Sequence, residues 1–255
     1  MIRYEVRQGV AVVTLDRPDK LNALTTEMRV ALASHFDNAA GDGGVRAVLL
    51  QGVGRAFCAG GDVARIADET PAGNRATMQL SHRMIRSLAD VGKPVIAAVR
   101  GPVAGMGWSL ALACDIVIAS ETARFSQVFR NIGLVPDGGA VWFLTQYLGT
   151  LRAKELVFSA RRIDAAEALS LGLVTRVVAD SELDEAGWQT ALSYAGAPTA
   201  ALGAAKQLFR FMHQPGLDEL LAREAAAQSI AFESHDHREG IAAFLEKRAA
   251  HFLGH

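Results

Sequence analysis

The sequence predicts an α/β fold in which strand–strand–helix turns coil into layers and a helical region follows at the C-terminal end. Strand-like and helix-like stretches alternate through the first half, and the unit recurs at a spacing of roughly 45 residues. Beyond Gly138 the pattern becomes a near-continuous succession of helices. With 255 residues and no low-complexity linker, the chain reads as an α/β core over 1–195 and a helical region over 196–255.

Residues 4–6 and 10–15 are β-rich runs split by Gln8-Gly9, a hairpin turn signal. Thr25 or Thr26 can cap a helix through His35, with Glu27 in its first turn. Residues 45–51 form a mostly apolar run suited to a buried strand. A Gly-rich loop follows, then a polar–apolar helix over 75–90. Residues 94–99 read as another buried strand, ended by Gly101-Pro102, and a short helix near 107–113 leads into a strand at 115–119. Further helices are expected around Leu156 and over 165–171, 182–194, 199–212, 217–232 and 238–252. Asp164 opens the first of these runs with capping-box spacing to Glu167, and Gly172 closes it. Residues 174–178 are the clear strand of this half.

Composition excludes several classes of function. Lys and Arg total 26 against 27 Asp and Glu, so the basic face of a nucleic-acid binder is not expected. Half the residues are hydrophobic, yet no apolar run reaches the length of a membrane span; the longest candidate, 109–120, carries Asp115. The opening residues read as strand rather than signal peptide, which makes the cytoplasm the expected compartment. Cys58 and Cys114 are the only cysteines, too few for a disulfide framework or a four-thiolate zinc site.

Two Gly-bearing loops follow buried strands, GVGRAFCAGGD at 52–62 and GPVAGMG at 101–107. Such loops can be tight turns that need φ > 0, or cradles whose outward amides meet an anion. Neither completes the dinucleotide pattern, since Phe57 and Leu110 fall at its last position, and no Gly-Lys-Ser/Thr exists for a P-loop.

These loops belong to a larger ordered set: RPDKLNAL at 17–24, RAFCAGGD at 55–62, GPVAGMG at 101–107, ACDI at 113–116 and EGIAAFLEKR at 239–248. In this order and spacing the set resembles the enoyl-CoA hydratase/isomerase (crotonase) superfamily over essentially the whole chain. The resemblance implies a crotonase-like spiral of β-β-α turns, a helical C-terminal trimerisation region, and an acyl-CoA thioester as ligand without a separate cofactor. It implies a homotrimer or a dimer of trimers. It carries the two backbone amides around the thioester oxygen onto Gly61 and Met106. Fixed amides there stabilise the negative charge that develops when a proton leaves the carbon beside a thioester. Lys20, Leu21, Ala23, Ala59 and Val63 would border adenine and pantetheine. Phe244 and Lys247, three apart on the last expected helix, would meet the nucleotide end of coenzyme A across a subunit boundary. Asp62 reads as the N-cap of the turn that follows it.

Hydratases of this superfamily place a glutamate at each edge of the thioester; here those positions fall on Ser109 and Phe129. Ser and Phe offer no acid or base at neutral pH. One acid stands in a suggestive place, Asp137 in GLVPDGG at 133–139, a stretch similar to the isomerase branch that includes epoxyphenylacetyl-CoA isomerases, where an Asp is the base. Enclosure by Trp108, Phe129 and Trp142 would raise its pKa. Pro-Asp-Gly is also a turn signature, so Asp137 has a purely local reading too.

Other candidates carry less. GWSLA at 107–111 nearly forms a nucleophile elbow, but no His stands in a recognisable context behind Ser109. His82 and His213 lie in or beside helical stretches, His235 and His237 in a solvated turn, and Cys58 reads as a small buried thiol. No metal site is expected. The leading reading is an acyl-CoA double-bond isomerase with Asp137 as acid/base. The alternatives are a hydratase or thioester hydrolase using Ser109, and a non-catalytic acyl-CoA-binding homologue.

Overall fold

A computed structural model describes residues 1–63, 70–211 and 217–255. The strands are β1 (Ile2–Arg7), β2 (Val10–Leu15), β3 (Ala47–Gly52), β4 (Val95–Val99), β5 (Pro102–Ala104), β6 (Ile116–Ser120), β7 (Arg124–Ser126), β8 (Ile163–Asp164) and β9 (Arg176–Val178). β1 and β2 form an antiparallel hairpin about Gln8 and Gly9, whose φ of 49° and 76° supply the tight turn. β3, β4, β6 and β9 then add in parallel, giving one six-stranded sheet in the order β1-β2-β3-β4-β6-β9. A second sheet, β5-β7-β8, stacks the short returning strands.

The runs in β2, β3 and β4 are apolar on both faces because both faces are covered. Val13, Leu50 and Ala97 pack with Leu32 and Phe36 of α1 (Thr26–Gly41) and with Met84 and Leu88 of α2 (Pro71–Asp90). α3 (Met106–Leu112), α4 (Ala140–Ser159) and α5 (Ala165–Ser170) continue that layer. On the other face Val12, Leu49 and Ile96 meet Leu183 and Ala191 of α6 (Leu183–Ala195). α7 (Thr199–Phe211) is tied to the core, where Arg46 donates to Thr199 Oγ1 and the Ala197 carbonyl, each at 2.6 Å, and Lys206 meets Asp115 at 2.8 Å. α8 (Leu217–Phe232) and α9 (His235–Glu246) complete the helical region. Among the described residues, no helix is long and apolar enough to cross a membrane.

The helix starts follow their capping residues. Thr25 Oγ1 accepts from the Met28 amide at 3.3 Å, and Asp164 Oδ1 from the Glu167 amide at 2.8 Å. α1 runs on to Gly41 rather than ending near His35, because Phe36 and Ala39 continue its buried stripe. The last helix differs more. It starts at His235 and stops at Glu246, where Lys247 takes a left-handed φ of 56°. Arg248 then turns back onto Glu239 at 2.7 Å, and the Asp236 carboxylate accepts the Leu253 and Gly254 amides. Phe244 and Lys247 therefore do not share a helical face. The expected helix end at 212, and His213, lie outside the described residues.

Candidate active site

The site begins with two main-chain segments in contact. The Phe57 amide donates to the Arg100 carbonyl (2.8 Å), Cys58 to Pro102 (3.1 Å), and Ala104 back to Cys58 (2.9 Å). The approach leaves no room for side chains. A Cβ at Gly101 would stand 1.9 Å from the Arg55 carbonyl oxygen, and one at Gly107 would stand 2.3 Å from that of Cys58. The Met106 nitrogen, at the first position of α3, lies 3.7 Å from where a Cβ on Gly60 would be. Among the described residues, neither the Gly61 nor the Met106 amide donates to a protein acceptor. The first helical turn has no internal partner for the latter. Two neighbouring donors of this kind are what a developing oxyanion requires.

The turn at 17–24 docks against the same loop. The Leu24 amide donates to the Gly60 carbonyl (2.8 Å), Asp62 to Leu24 (3.1 Å), and Ala59 to Leu21 (3.0 Å). Asn22 is fully buried, and its Nδ2 donates to the Val53 and Ala56 carbonyls at 3.0 and 2.8 Å. Leu21, Ala23 and Ala59 are thus gathered beside Gly61, with Lys20 exposed at the rim. Asp62 forms an ion pair with Arg17 at 2.7 Å. Val63 is exposed, and the turn Asp62 was expected to cap lies in residues outside those described.

Asp137 lines a cavity of about 700 Å³ with Leu24, Arg29, Asp62, Met78, His82 and Val135. Its Oδ1 is buried without a hydrogen-bond partner. Burial pushes its carboxyl from 3.8 up to about 6, while the Arg29 guanidinium pulls in the other direction. The expected direction holds, but the enclosing residues differ from those foreseen. Trp108 is buried against Phe125, Phe129 packs behind Gly105, and Trp142 is 47% exposed. Ser109 is fully buried, and its hydroxyl meets the Asp137 carbonyl at 2.9 Å rather than facing the cavity. Phe244 and Lys247 lie exposed at the end of α9, away from the cavity lining. Burial pushes the Cys58 thiol up to about 12, consistent with an inert thiol.

The profile of the enoyl-CoA hydratase/isomerase family matches residues 5–255. The chain belongs to this superfamily. It is 40% identical over 253 residues to a Rhodobacter capsulatus protein named "probable enoyl-CoA hydratase", covering 99% of this chain and 98% of that one. It is 39% identical over 257 residues to the 1,2-epoxyphenylacetyl-CoA isomerase of Escherichia coli, covering 99% and 98% respectively. A solved enoyl-CoA hydratase from Polaromonas superposes with a TM-score of 0.94 at 33% identity, covering 98% of this chain and 99% of that one. This is therefore an acyl-CoA enzyme of the enoyl-CoA hydratase/isomerase superfamily with a crotonase fold.

Within that superfamily fold, sequence reading missed Arg29 and the α2 wall that includes His82. Arg29 had a legible signal, since it falls on the same helical stripe as Leu32, Ala33 and Phe36, yet is charged. It is 6% exposed, and its Nη1 donates to the Leu24 carbonyl at 3.1 Å.

The carboxyl of Asp137 has a consequence for stability. The unfolded chain ionises it near pH 4, whereas the native state keeps the proton until about pH 6. The contribution of this group to stability therefore falls as pH rises through that window, by up to about 3 kcal/mol, and the loss persists above it. Asp137→Asn removes the ionisation. Urea unfolding should show the variant gaining about 2–3 kcal/mol on the parent between pH 4 and pH 7.5. A difference independent of pH would contradict the assignment.

Proposed function

We propose that the chain is an acyl-CoA double-bond isomerase in which Asp137 moves the proton and the Gly61 and Met106 amides hold the thioester enolate. The observation that carries this reading is the state of the two aspartates among the described residues of the cavity lining. Asp62 is ion-paired with Arg17, whereas Asp137 has a buried Oδ1 without a hydrogen-bond partner and ionises near pH 6. A carboxylate poised near the working pH both takes and returns a proton. Asp137 would remove a proton from the α-carbon of a 3-enoyl thioester, placing negative charge on the carbonyl oxygen between the two amides. As the dienolate collapses, the same carboxyl returns the proton at the γ-carbon and the double bond moves to the 2-position. Nothing is oxidised and no co-reactant enters, so the step needs no cofactor beyond the coenzyme A of the substrate.

Lys20, Leu21, Ala23, Ala59 and Val63 would run along the coenzyme, with Phe244 and Lys247 meeting its nucleotide end on a neighbouring subunit. Ser109 and Phe129, where hydratases place glutamates, are both buried and offer no second acid or base. The Escherichia coli relative's name favours isomerisation. The Rhodobacter relative's name favours hydration, which is the second reading. Turnover of a 3-enoyl-CoA by Asp137→Asn should fall about 10²–10⁴-fold in kcat with KM little changed. Activity within threefold of the parent would reduce Asp137 to a turn residue.

Self-association through residues 196–255, as a trimer or a pair of trimers, is part of this proposal. Ile230, Phe232, Phe244 and Leu245, 64–82% exposed on α8 and α9, are apolar side chains that such an assembly would cover. Light scattering at micromolar concentration should give a multiple of three chains. A monomer would contradict the assembly.

A further inference from the structure

The position where hydratases carry their first glutamate holds a serine that faces away from the cavity. Ser109 is fully buried on α3, and its hydroxyl donates to the Asp137 main-chain carbonyl at 2.9 Å, with the Gly105 carbonyl at 3.3 Å as its other neighbour. The turn lies directly on this helix. A Cβ added to Gly138 would stand 2.8 Å from Ser109 Cβ and 2.6 Å from Met106 Sδ, so the glycine, at φ 61°, is what permits the contact.

Asp137 otherwise has little to hold it. Residues 131–135 are exposed, and Gly138 and Gly139 both have positive φ. Among the described residues, the Ser109 hydroxyl is the hydrogen bond that ties 135–139 to an element other than the helix that follows. We propose that Ser109 is a positioning residue for Asp137: its hydroxyl locks the main chain that bears the carboxylate onto the same short helix that presents the Met106 amide. The base and one oxyanion donor are then parts of a single rigid unit, and their separation is fixed before substrate arrives. Such pre-set geometry is worth a large factor in rate, because a misplacement of about 1 Å can cost 10²-fold.

The fold does not need this hydroxyl. The Asp137 carbonyl also accepts the Ala140 amide at 3.1 Å, and the Gly105 carbonyl accepts the Trp108 and Ser109 amides at 3.0 Å. Removing the hydroxyl leaves no buried acceptor without a donor. Positioning and stability are therefore separable in the experiment.

The inference rests on Asp137 being the base, so Asp137→Asn is measured beside Ser109→Ala and Ser109→Cys, with a 3-enoyl-CoA as substrate. Ser109→Ala should melt within a few degrees of the parent and keep KM within about twofold, while kcat falls about ten- to a hundredfold. Ser109→Cys, a similar size with a weak donor, should fall between parent and Ala. Ser109→Ala with kcat within twofold of the parent overturns the proposal. So does a kcat loss matched by an equal loss of binding, or a collapse in melting temperature, which would make the hydroxyl a general support. An active Asp137→Asn protein instead overturns the assignment of the base, whatever the serine variants show.

Discussion

The site depends on a main-chain contact between the loop that leaves β3 and the segment that leaves β4. Gly101 and Gly107 remove the side chains that would hold these backbones apart, and alternating amide–carbonyl bonds between 57–58 and 100–104 fix their register. The turn at 17–24 is fastened onto this pair by Leu24 and the buried Asn22 amide. Three motifs that stand far apart in the chain are thus one hydrogen-bonded knot. Its rigidity matters chemically, because a fixed pair of amides needs no reorganisation when charge develops on a thioester oxygen.

Asp137 is governed by a balance rather than by a single contact. Burial in the cavity disfavours its charged form, and the buried Arg29 guanidinium favours it. Without the guanidinium, burial would hold the group protonated to higher pH. With a close ion pair, as Asp62 has with Arg17, it would be ionised but a poor proton acceptor. The intermediate position near 6 suits the proton transfer proposed for it.

Much of this was legible in the sequence because it is carried by local chemistry. Gln8-Gly9 marks the hairpin, Thr25 and Asp164 mark helix starts, and the apolar runs of β2, β3 and β4 mark a sheet covered on both faces. The ordered motifs at 17–24, 55–62 and 101–107 led to the superfamily. What was not legible depends on long-range contact. β5, β7 and β8 are too short to show a period, and they exist because each pairs with a neighbour. The last helix ends early because Arg248 reaches back to Glu239. The orientation of Ser109 is set by a turn 28 residues away in sequence.

The central claim is that this site transfers a proton within a thioester dienolate and does not add water. It is tested most directly by following a 3-enoyl-CoA and crotonyl-CoA separately in H₂¹⁸O by mass spectrometry of the acyl products. The account predicts that the 3-enoyl-CoA becomes the 2-enoyl isomer without ¹⁸O, and that crotonyl-CoA gives no 3-hydroxyacyl product. Rapid formation of ¹⁸O-labelled 3-hydroxybutyryl-CoA from crotonyl-CoA, with the 3-enoyl-CoA left unconverted, would contradict it.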